Sequence, residues 1–276
     1  MRRGALSERC PEVGATWSGG LLHKSPNSPL AAKVQSPLSS VRMKRRDFLS
    51  LLPLAAGAIS WGCRRKLRPE LIKIEDFEDR KGGWRIIKVA CVGDSITYGA
   101  GVEEREKNNY PKQLGELLGN RFEVRNFGRS GATLSRVGDL PYANTDEFKA
   151  AIAWQPDMVI IKLGTNDTKP QNWKDQAFFE QETRWLIDQF RDLKTKPQVW
   201  ACLPAPVYSD TWGITGQILD DGVIPALMEV TTDKKVPVID LNDALTGYPE
   251  MFPDKIHPNA AGATLMARTI FQAIRP

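Results

Sequence analysis

The sequence predicts an α/β domain, a three-layer sandwich built on a five-stranded parallel sheet. Two observations predict it. Short, nearly continuous apolar runs recur at residues 86–92, 122–127, 158–163, 198–203 and 236–241, and stretches with apolar residues at helical spacing lie between them. Continuous apolar runs suit strands buried on both faces, and strands alternating with helices imply right-handed βαβ crossovers. A body of about 200 residues is enough for one such domain, and no internal repeat marks a second.

The first run, Ile86-Ile87-Lys88-Val89-Ala90-Cys91-Val92, is stopped by Gly93. Stretch 111–118 then places Leu114, Leu117 and Leu118 on one side of a helix. Stretch 178–193 puts Phe178, Phe179, Trp185, Leu186 and Phe190 at helical spacing, with Glu180, Glu182, Asp188 and Asp192 at the other positions. Stretch 260–274 closes the chain with Leu265, Met266, Thr269, Ile270 and Ala273 inward. Lys88, Lys162 and the acidic side of 178–193 read as solvated or sheet-edge charge, and Met228 and Met266 as core.

Charge excludes one class of partner. The whole chain carries +5, from 38 Lys and Arg against 33 Asp and Glu, but residues 1–62 hold nine of the basic and three of the acidic residues. The rest, 29 basic and 30 acidic, is close to neutral, with no footprint for a phosphate backbone. Nucleic acid is not an expected partner. Nor does any apolar run reach the roughly 18 residues of a membrane-spanning helix.

The basic surplus belongs to a leader. Residues 1–42 are rich in Ser, Pro and Gly without apolar period, and read as a disordered or mis-assigned start, with Met43 the expected initiator. Met43-Lys44-Arg45-Arg46 followed by an apolar run to Gly62 describes an export signal over 43–63. Arg45-Arg46-Asp47-Phe48-Leu49 resembles a twin-arginine signal. Gly62-Cys63 resembles the end of a bacterial lipoprotein signal, with departures at Ser60 and Trp61, so Cys63 is a candidate for lipidation and membrane attachment. Residues 64–84 read as a linker and 85–276 as the folded domain. The expected location is periplasmic or anchored at a bacterial cell envelope.

Cys10 and Cys63 fall in or beside the leader, whereas Cys91 and Cys202 lie in strand runs, where a free Cys behaves as a small buried hydrophobe. His23 and His257 are the only histidines, so no Cys/His set has metal-ligand spacing and neither a metal nor another cofactor is expected.

Four motifs fall just beyond strand ends, where parallel sheets bind ligands. They are Gly93-Asp94-Ser95-Ile96-Thr97, Gly128-Arg129-Ser130-Gly131-Ala132-Thr133, Gly164-Thr165-Asn166-Asp167 and Asp254-Lys255-Ile256-His257-Pro258. Singly, each also reads as turn or cap chemistry, with Asn166, Asp167 and Asp254 as helix caps. In this order together they resemble the SGNH (GDSL) hydrolase family, over roughly residues 86–276. The resemblance implies a flavodoxin-like sheet, a Ser-His-Asp esterase with Ser95 as nucleophile and His257 and Asp254 completing the triad, and oxyanion donors at Ser95, Gly131 and Asn166. Ala132 stands where many members carry Asp.

The chemistry stands beside the resemblance. A serine hydroxyl needs a base within hydrogen-bond reach, and in the body of the chain His257 is the only imidazole. Imidazole titrates near neutrality, so it can take the Ser95 proton and return it to a leaving alcohol. Asp254, three residues earlier, can fix the ring tautomer.

The loop after the fourth strand exposes Tyr208 and Trp212, with Tyr98, Tyr110 and Trp173 as further aromatics, and flat rings beside polar groups suit sugars. Tyr208, Trp212 and Asp94 are the expected substrate-binding residues. The expected activity is removal of O-acetyl groups from carbohydrates. The alternatives are a lysophospholipase or acyl thioesterase on the same triad, and a surface lipoprotein that binds glycans without turnover.

Overall fold

The computed structural model describes residues 85–275. The expected leader, export signal and linker lie outside the described residues, with Cys10, His23 and Cys63.

Five strands alternate with helices: β1 (Ile87–Gly93), α1 (Ser95–Tyr98), α2 (Arg105–Asn108), α3 (Tyr110–Leu118), β2 (Phe122–Gly128), α4 (Asp146–Trp154), β3 (Met158–Lys162), α5 (Gln176–Arg191), β4 (Gln198–Leu203), α6 (Gly216–Ile218), α7 (Ile224–Asp233), β5 (Val238–Asp240), α8 (Leu241–Leu245) and α9 (Ala260–Ile274). All pairings are parallel, in the order β2-β1-β3-β4-β5. The chain crosses from one side of β1 to the other between β2 and β3. The order therefore switches at β1 and β3, and the crevice at a parallel sheet's switch point opens beyond its carboxyl ends.

Period-two alternation divides the core. Val89 and Cys91 of β1, Met158 and Ile160 of β3, and Trp200 and Cys202 of β4 face α3, α8 and α9. Ala90, Val92, Val159, Ile161, Val199 and Ala201 face α4, α5 and α7. The three central strands β1, β3 and β4 are buried on both faces because both layers are covered, which is why their runs read as continuous rather than alternating, whereas the edge strands β2 and β5 are partly exposed.

Several expectations are corrected. The fifth strand begins at Val238, and Ile86 is 49% exposed, outside β1. Helices α4 and α7 go beyond the periodicity reading. They are short, nine and ten residues: Thr145 caps α4 by accepting from Phe148 N, and α7 runs on directly from the helical turn Leu219–Val223, with Pro225 as its second residue. Met228 is exposed on the outer side of α7, whose Ala226, Leu227 and Val230 face inward; Met266 is core as expected. Leu117 is likewise exposed, so of the three leucines Leu114 is buried and Leu118 partly so, beside the buried Tyr110 and Pro111 of α3. No helix among the described residues is long and apolar enough to cross a membrane.

Candidate active site

Ser95 opens α1 directly after the strand-ending turn of β1. A Cβ on Gly93 would run into Thr97 Oγ1 and lie 2.6 Å from the Lys162 carbonyl oxygen, so only glycine lets the chain turn between β1 and β3. Asp94 follows in extended geometry and caps α1, its carboxylate accepting from Ile96 N at 2.9 Å. The turn leaves Ser95 half-buried at the carboxyl edge of the sheet.

His257 reaches it from 162 residues away: Ser95 Oγ lies 2.7 Å from His257 Nε2. On the far side of the ring, His257 Nδ1 lies 2.8 Å from Asp254 Oδ2. The second oxygen, Oδ1, accepts from the backbone N–H of His257 at 2.7 Å and of Ile256 at 3.0 Å. A short loop achieves this because Lys255 takes φ +73° and folds the chain back, while Ile256 anchors it in the core. Partial burial would raise the Asp254 carboxyl. The two backbone donors and the imidazole outweigh burial and hold it below the usual carboxylate range. An ionised Asp254 keeps a proton on Nδ1 and frees Nε2 to accept from Ser95.

The opposite wall comes from the loops after β2 and β3. Asn166 is buried, and its Nδ2 donates to Ala132 O at 3.1 Å, tying the two loops together. A side-chain amide has two N–H groups, so one fixes the loop and the other is available to an anion. Gly131 has φ +82°, and a Cβ there would meet only Leu140 Cδ2, at 3.5 Å. Its glycine is required by the left-handed backbone rather than by crowding. At Gly128 the reverse holds: a Cβ would run into the Tyr98 backbone N.

Four buried charged residues hold these loops, and sequence reasoning missed or misplaced them. Lys162, expected as solvated or edge charge, is fully buried, its Nζ 2.9 and 3.1 Å from the Asp94 oxygens and 2.8 Å from Thr165 Oγ1. Asp94, expected to bind substrate, has no exposed surface and is spent on Lys162 and Ile96; that expectation is withdrawn. Asp167 accepts from Leu134 N and Ser135 N, both at 2.8 Å, and burial pushes its carboxyl up to about 7 against those two donors. Glu182, expected on a solvated face, is 3% exposed and takes Arg136 bidentately at 2.8 and 2.9 Å. Lys88 is half-buried, donating to Trp154 O at 3.1 Å.

The expected aromatics divide. Tyr110 is core, its hydroxyl 3.1 Å from Thr97 Oγ1. Trp173 packs on Phe179 and against Gly222 of the π-helical turn Leu219–Val223. Tyr208 braces its loop, donating to Leu245 O at 2.7 Å and accepting from Tyr248 N at 2.9 Å. Tyr98 is partly exposed, but the Arg105 guanidinium lies over its ring at 4.0 Å. Trp212 alone of the five stands exposed beside the triad, its ring centroid 5.5 Å from the His257 ring. Among the described residues no group of three or more His, Cys, Asp or Glu is placed to hold a metal.

Comparison with known proteins places the chain in a family. The model of the GDSL-like lipase/acylhydrolase family matches residues 91–265. An acetylxylan esterase of Xylanibacter ruminicola is 39% identical over 207 residues, 68% of this chain and 43% of its own. An uncharacterized esterase, YxiM, of Bacillus subtilis is 28% identical over 170 residues, 56% of this chain and 42% of its own. The chain thus spans less than half the length of either curated relative. Among solved structures, a carbohydrate acetylesterase from Sinorhizobium meliloti superposes with a TM-score of 0.57 at 21% identity, covering 67% of this chain and 97% of that one.

Proposed function

The chain belongs to the GDSL-like lipase/acylhydrolase family, and on that premise we propose that it is a serine esterase that removes O-acetyl groups from carbohydrates through an acyl-enzyme. The observation that carries the chemistry is the unbroken chain Asp254–His257–Ser95, with links of 2.8 and 2.7 Å. The sugar reading is supported by the relatives' names and by Trp212 beside the imidazole.

In the forward half-reaction, His257 Nε2 takes the hydroxyl proton as Ser95 Oγ bonds to the ester carbonyl carbon. Negative charge develops on the carbonyl oxygen, within reach of the Ser95 and Gly131 backbone N–H groups and the Asn166 amide. The bond to the alcohol oxygen then breaks, and Nε2 returns its proton to that oxygen. Water repeats the sequence: it attacks the acyl carbon, Nε2 takes its proton, and Ser95 leaves with it as the acid is released. Asp254 holds the ring throughout and stabilises the imidazolium.

We infer export as well, supported by Arg45-Arg46 ahead of the apolar run to Gly62, with lipidation at Cys63 tethering the enzyme to the envelope. The mature N-terminus, read by mass spectrometry, tests this. For the activity, the test is hydrolysis of acetylated xylan, other O-acetylated sugars, short- and long-chain acyl esters and thioesters, with Ser95→Ala as control. Acetate release from sugars by the wild type alone is expected. A preference for long acyl chains or thioesters overturns the sugar reading in favour of a lysophospholipase or thioesterase, and glycan binding without turnover would leave a binding protein.

A further inference from the structure

Trp212 occupies a backbone position that its side chain disfavours. It has φ +52° and the next residue, Gly213, has φ +78°, as the two central residues of a tight turn closed by Ile214 N to Thr211 O at 2.9 Å. Thr211 and Ile214 pair as an antiparallel bridge. Turns with two consecutive left-handed residues take Asn, Asp or Gly at the first, because a larger L side chain crowds the following carbonyl. A bulky aromatic there is an outlier, and such strain persists where surrounding structure over-determines it.

The surroundings do over-determine it. On the C-terminal side Thr215 N donates to Thr168 Oγ1 at 3.0 Å, linking the turn to the segment that carries Asn166, and Gly216 N donates to Asp210 Oδ1 at 2.9 Å. Ile214 is buried, 4% exposed, while the indole is 60% exposed. The indole therefore gains little from burial in the fold. Among the described residues its one ring neighbour is the catalytic imidazole, at 5.5 Å with planes inclined by 42°.

The reaction chemistry says which half of the substrate meets this ring. The acyl carbon bonds to Ser95, and its oxygen points to Gly131 and Asn166. His257 Nε2 delivers its proton to the alcohol oxygen, so the alcohol half lies along the imidazole, the ring that Trp212 neighbours. We propose that Trp212 is the specificity-determining residue for that alcohol half, a platform on which a pyranose ring lays its C–H face while its ester meets Ser95. The choice of a sugar rests on the esterase reading above; the assignment to the alcohol rather than the acyl side rests on the position of His257. The turn carries the backbone strain because that is where an exposed aromatic can reach over the proton donor.

The test uses Trp212→Ala, Trp212→Phe and Trp212→Asn, assayed on an acetylated xyloside and on ethyl acetate, whose alcohol has no ring to stack. The ratio of kcat/KM for the xyloside to that for ethyl acetate is expected to fall about tenfold in Ala and Asn, through KM, with Phe retaining most of it. Trp212→Asn is also expected to raise the thermal midpoint, because Asn accepts the left-handed backbone. A ratio that stays within about twofold of wild type, or a lower midpoint in Asn, overturns the proposal. A wild type that hydrolyses neither ester would instead defeat the esterase reading.

Discussion

Lys162 Nζ lies 2.9 and 3.1 Å from the two carboxylate oxygens of Asp94, and neither side chain has any exposed surface. The pair joins the ends of β1 and β3, the strands that deliver Ser95 and Asn166. All three ammonium donors are used, the third by Thr165 Oγ1 at 2.8 Å. Sitting one residue before the nucleophile, Asp94 transmits the position of β3 to Ser95.

Breaking this pair on one side leaves a buried, uncompensated charge, which typically costs about 3–5 kcal/mol, whereas removing both charges is often nearly neutral. Lys162→Met is therefore expected to destabilise by about that amount. The double variant Asp94→Asn/Lys162→Met is expected to recover most of the stability but not kcat, since the tie between the two turns is gone. Urea unfolding and turnover measured on the same preparations decide it. Recovery of kcat in step with stability would make the pair a folding element only.

The triad and the anion donors are expected to separate by magnitude. Ser95→Ala removes the nucleophile and should leave almost no turnover. Asp254→Asn keeps the shape but favours the wrong ring tautomer, an effect of about four decades in kcat. Asn166→Ala removes one donor to the developing anion, worth about two to three decades. Steady-state kinetics on a soluble acetate ester gives the ranking, and an Asn166→Ala enzyme near wild-type kcat would remove that side chain from the anion site.

Asp167 makes stability depend on pH in an unusual direction. Its folded value is pushed up to about 7 by burial, against two backbone donors, while an unfolded Asp sits near the ordinary carboxylate value. A raised folded value means the folded state holds the proton more tightly. The contribution is full below the unfolded value and is lost as pH rises through about 7. Subtracting the urea-midpoint profile of Asp167→Asn from that of wild type should isolate a curve that falls between about pH 4 and 7. A rising or flat difference would show Asp167 ionised throughout.

Much of this site is legible in the sequence because its parts are punctuated. Each strand end is marked by glycine, proline or a polar residue beside an apolar run, and the lone imidazole of the body leaves the base no other candidate. The buried charges are harder, because their meaning lies in partners far along the chain. Lys162 interrupts an apolar run like any edge lysine, and its partner is 68 residues away. Glu182 fits the polar side of α5 until Arg136, 46 residues earlier, is seen to fold over Trp185 and take it. A charged residue within a strand that must be buried on both faces was the available signal, since such a charge requires a counter-charge. Trp212 shows the opposite limit: its residue type suggested a ligand surface, but only the backbone shows that its turn disfavours it.

Two glycines near the nucleophile are required for different reasons, and substitution should tell them apart. At Gly128 a Cβ meets the backbone of Tyr98 and, 2.7 Å away, the Thr97 carbonyl carbon, so neither neighbour can yield without moving the Ser95 helix. At Gly131 the space is open and only φ +82° stands against a side chain, a strain of about 1–2 kcal/mol. Gly131→Ala is thus expected to fold, with a modest loss in midpoint and a larger loss in kcat as its N–H turns from the anion. Gly128→Ala is expected to fail to accumulate as soluble protein, or to unfold at much lower denaturant. Soluble yield and denaturant midpoints read the difference. A Gly128→Ala enzyme as stable as Gly131→Ala would show that α1 can move away from β2 and that the close approach at Gly128 is not required.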